Sequence, residues 1–295
     1  MRIEVADGDT HRILTIPLSD YVGGSVPAEM PLADQDTAVA DRLARLQAIL
    51  ARTYALANRG RHAAEGFDLC STTHCQVYRP LDQQPAAVAR LVAAAVDQTR
   101  GLIVSDGNGP IQALFHADCG GHTSSATAVW GGPAPPYLGG VRDRLCMTTP
   151  RDEWRLVIAR DHLRRILNLA SDTAVGRRLD QIAVLSHDPA GRATRVSVTG
   201  ETRHVIRGER LRAVISGQLG ARTFRSARFR VEQQDDRILF LGQGFGHGVG
   251  LCQTGAIVRA RRGDSVAAIL AHYYPGTSLA RVPPQPPRHL TRTRS

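Results

Sequence analysis

The chain has 295 residues, of which 42% are hydrophobic, so it can form one large domain or two modest domains with a real core. Its formal net charge is +10, and all 37 basic residues are arginine. This charge favours an anionic partner, whether nucleic acid, a membrane surface or an acidic cell-wall polymer, without choosing among them. The sequence has no apolar run of membrane-spanning length, and its first residues lack the apolar segment of a signal peptide.

The first predicted feature of functional interest is Glu29, which follows a strand or hairpin predicted over residues 1–16. Glu29 stands between Pro27 and Pro31. Because proline fixes its own φ and moves the preceding residue away from helical geometry, we predict a short, stiff loop here. Apolar neighbours raise the pKa of a carboxyl group, as a general acid working near neutral pH requires. The alternative is an ordinary surface glutamate in a turn.

The next predicted element is an amphipathic helix that starts at Asp36. Apolar residues recur at three- and four-residue spacing as far as Tyr54, and Asp36 or Thr37 can cap the N-terminus. Asn58-Arg59-Gly60 forms a stop signal. A rigid segment that leads into a buried helix would hold the Glu29 side chain still, as a catalytic group requires.

Two cysteines and two histidines follow this helix closely, namely His62, Cys70, His74 and Cys75. A Cys₂His₂ set suits a structural zinc ion. Adjacent side chains such as His74 and Cys75 reach one ion only with a special backbone conformation. A disulfide within the group of Cys70, Cys75 and Cys119, or simple burial of the thiols, remains an alternative.

The rest of the chain alternates short predicted elements. A helix is predicted over 84–99 and a hairpin over 101–115. His116, Cys119 and His122 could join the metal site or a binding cleft, and Trp130 and Tyr137 could stack on sugar rings or lie in the core. Strand-like and helical stretches are mixed over 151–231, a glycine-rich loop over 242–255 surrounds His247, and a helix is predicted over 265–273. The proline- and arginine-rich tail, 283–295, is predicted to be disordered.

Five stretches carry a family resemblance: PLSDYVGGSVPAEMP, QAILARTYAL, HADCGGHTSSATAVWGG, ILFLGQGFGHGVGLCQTGA and YYPGT. In these stretches the sequence resembles the SpoIID/LytB family of peptidoglycan lytic transglycosylases, from about residue 12 to residue 279. The resemblance implies cleavage of the MurNAc–GlcNAc β-1,4 bond with formation of 1,6-anhydroMurNAc. It also implies that Glu29 acts as both acid and base, with no cofactor required for the chemistry.

The resemblance also implies the remaining site residues. Those that match family positions and would bind the glycan are Arg52, Tyr54, Gln76, Tyr78, His247, Gln253 and Tyr273. In some relatives the residues that correspond to His62, Cys70, His74 and Cys75 bind zinc, which favours a structural zinc in this protein. Arg52 could contact a sugar carboxylate or Glu29, and we favour the former because pairing with Glu29 would oppose its role as an acid.

From the resemblance we expect an α+β fold with a catalytic lobe formed by residues 12–150 and 238–280 and an inserted lobe over 151–237. The expected partners are glycan strands stripped of stem peptides, and an amidase. The expected location is the cell envelope, outside the cytoplasmic membrane. The alternatives are a non-catalytic glycan-binding module or amidase enhancer, and a nucleic-acid-binding protein. We do not expect nucleic acid as a partner, because no recognition motif is visible.

Overall fold

The computed structural model describes residues 1–7, 10–148 and 153–282. The described chain forms two compact units, one made of residues 1–113 with the returning segment from 277, the other of 114–276. Both contain helices and antiparallel strands, so the predicted α+β class is confirmed. None of the helices in these ranges is both long and apolar enough to span a membrane. The predicted disordered tail, 283–295, lies outside the described residues.

The first unit packs three helices beside a small sheet. Its elements, in chain order, are β1 (Arg2–Asp7), β2 (Thr10–Thr15), α1 (Leu18–Glu29), α2 (Thr37–Ala57), β3 (Leu69–Cys70), α3 (Ala86–Gln98) and β4 (Leu102–Ser105). Strands β1 and β2 form the predicted antiparallel hairpin, and β3 joins β1 in parallel. Helix α2 packs against both α1 and α3, and most of its side chains are buried.

Helix α2 confirms the prediction of an amphipathic helix after Asp36. The Asp36 carboxylate caps the helix by accepting a hydrogen bond from the Val39 N–H at 2.9 Å. The helix ends just before Asn58, whose N–H bonds to the Tyr54 carbonyl. The helix therefore begins and ends at the residues that the sequence predicts.

The stretch around Glu29 differs from the prediction, because it is the end of helix α1 and not a loop. Pro27 lies inside this helix, where its ring removes one backbone donor without ending the helix. The helix ends after Glu29 because Met30, which precedes Pro31, has an extended conformation with φ −118° and ψ 124°. The second proline thus acts as predicted, and the first does not.

The predicted hairpin over 101–115 is only partly formed. Its first arm is β4, and an antiparallel bridge joins Ser105 to Pro110, but residues 111–114 form no strand. The second unit then begins with a two-residue strand, β5 (Phe115–His116), which pairs in parallel with residues 251–252. Both arms find partners that are distant in sequence, which a local pattern cannot reveal.

The second unit contains two three-stranded antiparallel sheets. Its elements are β5 (Phe115–His116), α4 (Ala126–Trp130), β6 (Trp154–Ala159), α5 (Arg160–Leu167), β7 (Leu179–His187), β8 (Ala193–Gly200), β9 (Arg203–Ile206), α6 (Gly208–Leu219), β10 (Phe229–Gln233), β11 (Arg237–Gly242), β12 (Leu251–Cys252), α7 (Gln253–Arg261) and α8 (Val266–Tyr273). The sheets have the orders β10-β11-β6 and β7-β8-β9. The chain then returns to the first unit as β13 (Ser278–Arg281), which pairs antiparallel with β4.

A cluster of aromatic rings forms part of the core of the second unit. The Phe224 ring lies 5.0 Å from those of Trp154 and Phe240 and 5.2 Å from that of Phe229, measured between centroids. Aliphatic side chains from α5, α6 and both sheets complete this core. The predicted inserted lobe, 151–237, lies within this unit, and its boundaries stay a prediction.

Candidate functional site

Glu29 lies at the C-terminal end of α1, where its side chain is half-buried. Its Oε1 accepts a hydrogen bond from the Val77 backbone N–H at 2.6 Å. Burial raises the pKa of Glu29 above its ordinary value, and the bond from Val77 opposes that rise. The group therefore holds its proton to higher pH than a solvated glutamate does, as a proton donor near neutral pH requires.

The segment that follows Cys75 brings two predicted site residues to the neighbourhood of α1. Gln76 is buried and accepts a hydrogen bond from the Tyr21 hydroxyl at 3.2 Å. Tyr78 stacks on Tyr21 with ring centroids 5.8 Å apart. Since Val77 contacts Glu29 directly, the structure groups Glu29 with Gln76 and Tyr78.

Gly24 allows this segment to approach α1 closely. A Cβ atom at Gly24 would lie 2.4 Å from Cε2 of Tyr78 and 2.5 Å from the Arg79 carbonyl oxygen. The Arg79 N–H also donates a hydrogen bond to the Gly24 carbonyl at 3.3 Å. Contact at this point holds the segment over the helix that carries Glu29.

Sequence reasoning missed the role of Tyr21. Tyr21 lies eight residues before Glu29 on α1, a spacing that puts both on one helix face. The signal was present, but it was hidden by the expectation that Glu29 lies in a loop.

A cleft of about 820 Å³ in the first unit lies beside this group. Tyr78 lines it together with Arg52, and three carboxylates, those of Asp20, Asp82 and Asp97, add negative charge. Glu29 is not among its lining residues. Tyr78 therefore belongs both to the surroundings of Glu29 and to the wall of this cleft.

The predicted ligands Arg52 and Tyr54 lie deep in α2. Arg52 is 5% exposed, and its guanidinium donates hydrogen bonds to the carbonyls of Leu102, at 3.0 Å, and Val96, at 3.4 Å. These bonds tie α2 to α3 and β4. Burial raises the pKa of Tyr54 to about 12, and its hydroxyl accepts a bond from Arg61 at 3.5 Å.

The other three residues predicted to bind glycan, His247, Gln253 and Tyr273, lie in the second unit. His247 accepts a hydrogen bond from the Val249 N–H at 3.1 Å and also bonds to the Phe115 backbone. Burial lowers the pKa of His247 to about 4, so its ring is neutral at pH 7. Gln253 begins α7 and Tyr273 ends α8.

One exposed aromatic ring, that of Trp130 at the end of α4, lies beside His247 of the glycine-rich loop. Trp130 is 45% exposed, and its ring lies 5.3 Å from that of His247. Tyr137, the other aromatic residue considered for sugar stacking, is buried. Trp130 is thus the better placed of the two to contact a sugar ring.

The four predicted metal ligands of the first unit come together. The ligand atoms of His62, Cys70, His74 and Cys75 all lie within 4.8 Å of one another. Nδ1 of His74 is 3.6 Å from the Cys70 sulfur and 3.7 Å from the Cys75 sulfur. A tetrahedral zinc ion with ordinary bond lengths separates its sulfur and nitrogen ligands by about 3.6 Å, so this donor set fits zinc.

The surroundings of these ligands support the same fit. Nδ1 of His62 bonds to the Glu65 carboxylate at 2.7 Å, while Nε2 faces the Cys75 sulfur at 3.4 Å. A carboxylate on the far nitrogen is the usual support of a zinc-binding histidine. A turn closed by the Cys75 N–H and the Thr72 carbonyl lets the adjacent His74 and Cys75 reach one point.

The five cysteines all lie among the described residues, and none of them forms a disulfide there. Three of them, Cys119, Cys146 and Cys252, lie together in the second unit with Asp143. The sequence offers Cys119 as a possible member of the first cluster and gives no sign of its contact with the other two. Cys119, Cys146 and Cys252 are far apart in the chain, and no spacing motif links them.

Two family models match parts of the chain. A model described as stage II sporulation protein, SpoIID, matches residues 6–105. Another, described as a domain of unknown function (DUF8618), matches residues 151–250. The first match falls in the first unit, which contains Glu29, and the second falls in the second unit.

Whole-chain comparisons extend this similarity. Stage II sporulation protein D of Bacillus subtilis is 29% identical over 278 residues, which cover 90% of this chain and 75% of that protein. An uncharacterized protein of Brachyspira hyodysenteriae is 32% identical, covering 89% of this chain and 66% of its own length. The amidase enhancer of Bacillus subtilis is 26% identical, and the match spans 40% of its length. The chain belongs to the SpoIID family, named for stage II sporulation protein D.

Proposed function

We propose that this protein acts on the cell wall as a peptidoglycan lytic transglycosylase, with Glu29 as its acid and base. Membership of the SpoIID family supports the role in the cell wall. The observation that carries the finer proposal is the half-buried carboxyl group of Glu29, whose pKa is raised by burial. The predicted ligands Gln76 and Tyr78 lie beside it, on either side of Val77.

The proposed reaction needs one carboxyl group in two protonation states. Protonated Glu29 gives its proton to the glycosidic oxygen as the bond from C1 of MurNAc to that oxygen breaks, which releases the 4-hydroxyl of GlcNAc. The resulting carboxylate then takes the proton from the C6 hydroxyl of MurNAc, whose oxygen bonds to C1. Glu29 ends protonated, water is not consumed, and the product is a 1,6-anhydro sugar.

The other carboxylate of α1, Asp20, is too far from Glu29 to act as the second carboxyl group of a hydrolase. Asp20 lies nine residues before Glu29 on the same helix. At the usual rise of 1.5 Å per residue, the two are separated by roughly 13 Å along the axis. Hydrolytic glycosidases place their two carboxyl groups about 5 to 9.5 Å apart.

Mass spectrometry of glycan strands tests the proposal. Strands with and without stem peptides are incubated with wild type, Glu29→Gln and, as a matched control, Glu232→Gln on the exposed end of β10. We expect anhydro products from wild type and the control, and a rate lower by at least about 100-fold for Glu29→Gln. Reducing ends in place of anhydro ends would indicate hydrolysis, and cleavage by Glu29→Gln at the wild-type rate would refute the role of Glu29.

A second candidate function is suggested by the relative named amidase enhancer. In this case the chain binds glycan without cleaving it and assists an amidase in the cell envelope. Binding of wild type to stripped strands, with no product and with faster stem-peptide release by an added amidase, would favour this candidate. Anhydro products from the purified chain alone would exclude it as the full account.

We also propose that His62, Cys70, His74 and Cys75 hold a structural zinc ion. Such an ion would supply no step of the reaction and would fix the segment that leads to Gln76 and Tyr78. The test is metal analysis of wild type and His74→Ala by plasma mass spectrometry. Equal zinc content in the two proteins would contradict this assignment.

A further inference from the structure

Four buried side chains of the second unit converge on one point, and the proposed glycan chemistry uses none of them as a catalytic group. They are the thiols of Cys119, Cys146 and Cys252 and the carboxylate of Asp143, and each residue is 0% exposed. Each offers one ligand atom, and the four atoms lie within 4.8 Å of one another. The cluster joins the turn after β5, the short 3₁₀ region around Cys146 and the end of β12.

The separations within this Cys₃Asp cluster match those around a tetrahedral ion. Two sulfur ligands at the usual 2.3 Å from zinc stand about 3.8 Å apart. The sulfurs of Cys146 and Cys252 are separated by 3.5 Å. The Cys119 sulfur lies 3.8 Å from Oδ2 of Asp143.

Backbone N–H groups point at two of the sulfurs. The Gly121 N–H donates to the Cys119 sulfur and the Cys119 N–H donates to the Cys252 sulfur, both at 3.2 Å. Cys252 is also the N-cap residue of α7, where its sulfur accepts from the Gly255 N–H. Hydrogen-bond donors and the positive end of a helix dipole both stabilise a thiolate, which is the form that binds metal.

The Asp143 carboxylate is held in one orientation. Its Oδ2 accepts a hydrogen bond from the Tyr273 hydroxyl at 2.6 Å, and its Oδ1 accepts one from the Cys146 N–H at 3.2 Å. A Cβ atom at Gly255 would lie 2.0 Å from Oδ2, so this close packing requires glycine. Metal-binding side chains are typically held in place by hydrogen bonds of this kind.

The negative charge of the metal-loaded cluster would lie near a buried arginine. Three thiolates and a carboxylate around a divalent cation carry a net charge of −2, and buried charge needs a partner. Arg192 is 1% exposed, and its charge interacts with Cys119. Its guanidinium donates to the Gly246 carbonyl at 3.0 Å, which keeps the positive charge inside the unit.

We propose that Cys119, Asp143, Cys146 and Cys252 form a second metal site, structural in role and suited to zinc. Sulfur-rich ligand sets favour zinc and similar thiophilic cations over magnesium or calcium. The ion would join three stretches of chain that are well separated in sequence. Its function is therefore to stabilise the second unit, independently of catalysis.

The test is the zinc content of the full chain, purified under reducing conditions and dialysed against trace zinc. Three proteins are compared: wild type, the double variant Cys70→Ser/Cys75→Ser, which removes the first cluster, and Cys252→Ser. We expect the double variant to retain one zinc per chain, and Cys252→Ser to lose one zinc relative to wild type. X-ray absorption of zinc in the double variant should give about three sulfur neighbours and one oxygen neighbour.

Two results would overturn the proposal. One is a double variant that remains folded and binds no zinc. The other is a wild-type protein whose intact mass shows a disulfide between two of these three cysteines. If either variant fails to fold, X-ray absorption of wild-type zinc decides, because a sulfur count no higher than two excludes the Cys₃Asp site.

Discussion

At the scale of single residues, the pKa of Glu29 links a chemical role to stability. Burial raises the pKa of Glu29 in the folded state, so the folded protein binds this proton more tightly than the unfolded chain. The stabilising contribution is complete below the unfolded pKa of about 4.3 and is lost as pH rises through the higher folded pKa. Above that pH, the fold has to keep a carboxylate half-buried.

We therefore expect Glu29→Gln to raise the melting temperature at pH 7 to 8 relative to wild type. The gain should shrink below pH 4, where Glu29 is protonated in both states. Melting curves across pH check this expectation, with Glu232→Gln as the exposed control. A difference between Glu29→Gln and wild type that does not change with pH would contradict the assigned pKa direction.

Gly24 offers a second test at this scale, because glycine in a helix usually costs stability. Replacing an unconstrained helical glycine with alanine stabilises a protein by roughly 0.5 to 1 kcal/mol. Gly217 in α6 is of this kind, since a Cβ there would meet nothing within 4 Å. A Cβ at Gly24 would instead lie 2.4 Å from Tyr78.

We expect Gly217→Ala to stabilise the protein and Gly24→Ala to destabilise it by about 1 to 3 kcal/mol. Gly24→Ala should also lower glycan cleavage, because it displaces the segment that contacts Glu29. Urea unfolding and turnover measurements check the pair. Equal stabilisation by both substitutions would show that the segment moves away from α1 at little cost.

At the scale of elements, the N-terminal cap of α2 is the clearest contribution of one side chain to the stability of the fold. Asp36→Ala removes the bond to the Val39 N–H and should cost about 1 kcal/mol. Asp34→Ala, two residues earlier and exposed, is the matched control and should cost only a few tenths. Denaturant midpoints of the two variants give the comparison, and equal losses would mean that net charge, not the cap, matters.

Elements with local signals were predictable from sequence, and elements with distant partners were not. Helix α2 carries its own periodicity, cap and stop signal, so its bounds were confirmed. Strand β5 pairs with residues near position 251, and this contact appears only in the folded chain. The sequence predicts a loop where helix α1 ends, but Pro27 lies within the helix, because burial of residues 21–26 outweighs the lost backbone bond.

The residues of the candidate site show the same difference between local signals and distant partners. The four candidate ligands of the first cluster lie close together in sequence, so the sequence was sufficient to predict that they meet, whereas the role of Glu29 stays a prediction. Cys119, Cys146 and Cys252 come from separate stretches, and only the parallel pairing of β5 with β12 and the turns beside it bring them together. Val77 contacts Glu29 through its backbone N–H, so the type of side chain at position 77 gives no indication of this contact.

At the scale of the whole molecule, the net charge of +10 predicts how binding depends on salt. Attraction to an anionic wall polymer should weaken as salt rises, because the screening length falls from about 10 Å at 0.1 M to about 3 Å at 1 M. Binding to uncharged glycan should change little. Sedimentation with wall fragments that keep or lack their anionic polymers, at several salt concentrations, provides the comparison, and equal salt dependence of both would contradict it.

The pairing of β4 with β13 has a consequence for how the protein is made. Ile103 and Val104 are buried in β4, yet the strand that pairs with β4 begins at Ser278. On a ribosome that adds ~5–20 residues per second, β4 emerges on the order of ten seconds before its partner exists. During that interval the backbone edge of β4 is unpaired and can pair with other nascent chains. We therefore expect a chaperone that covers this strand to reduce aggregation during synthesis.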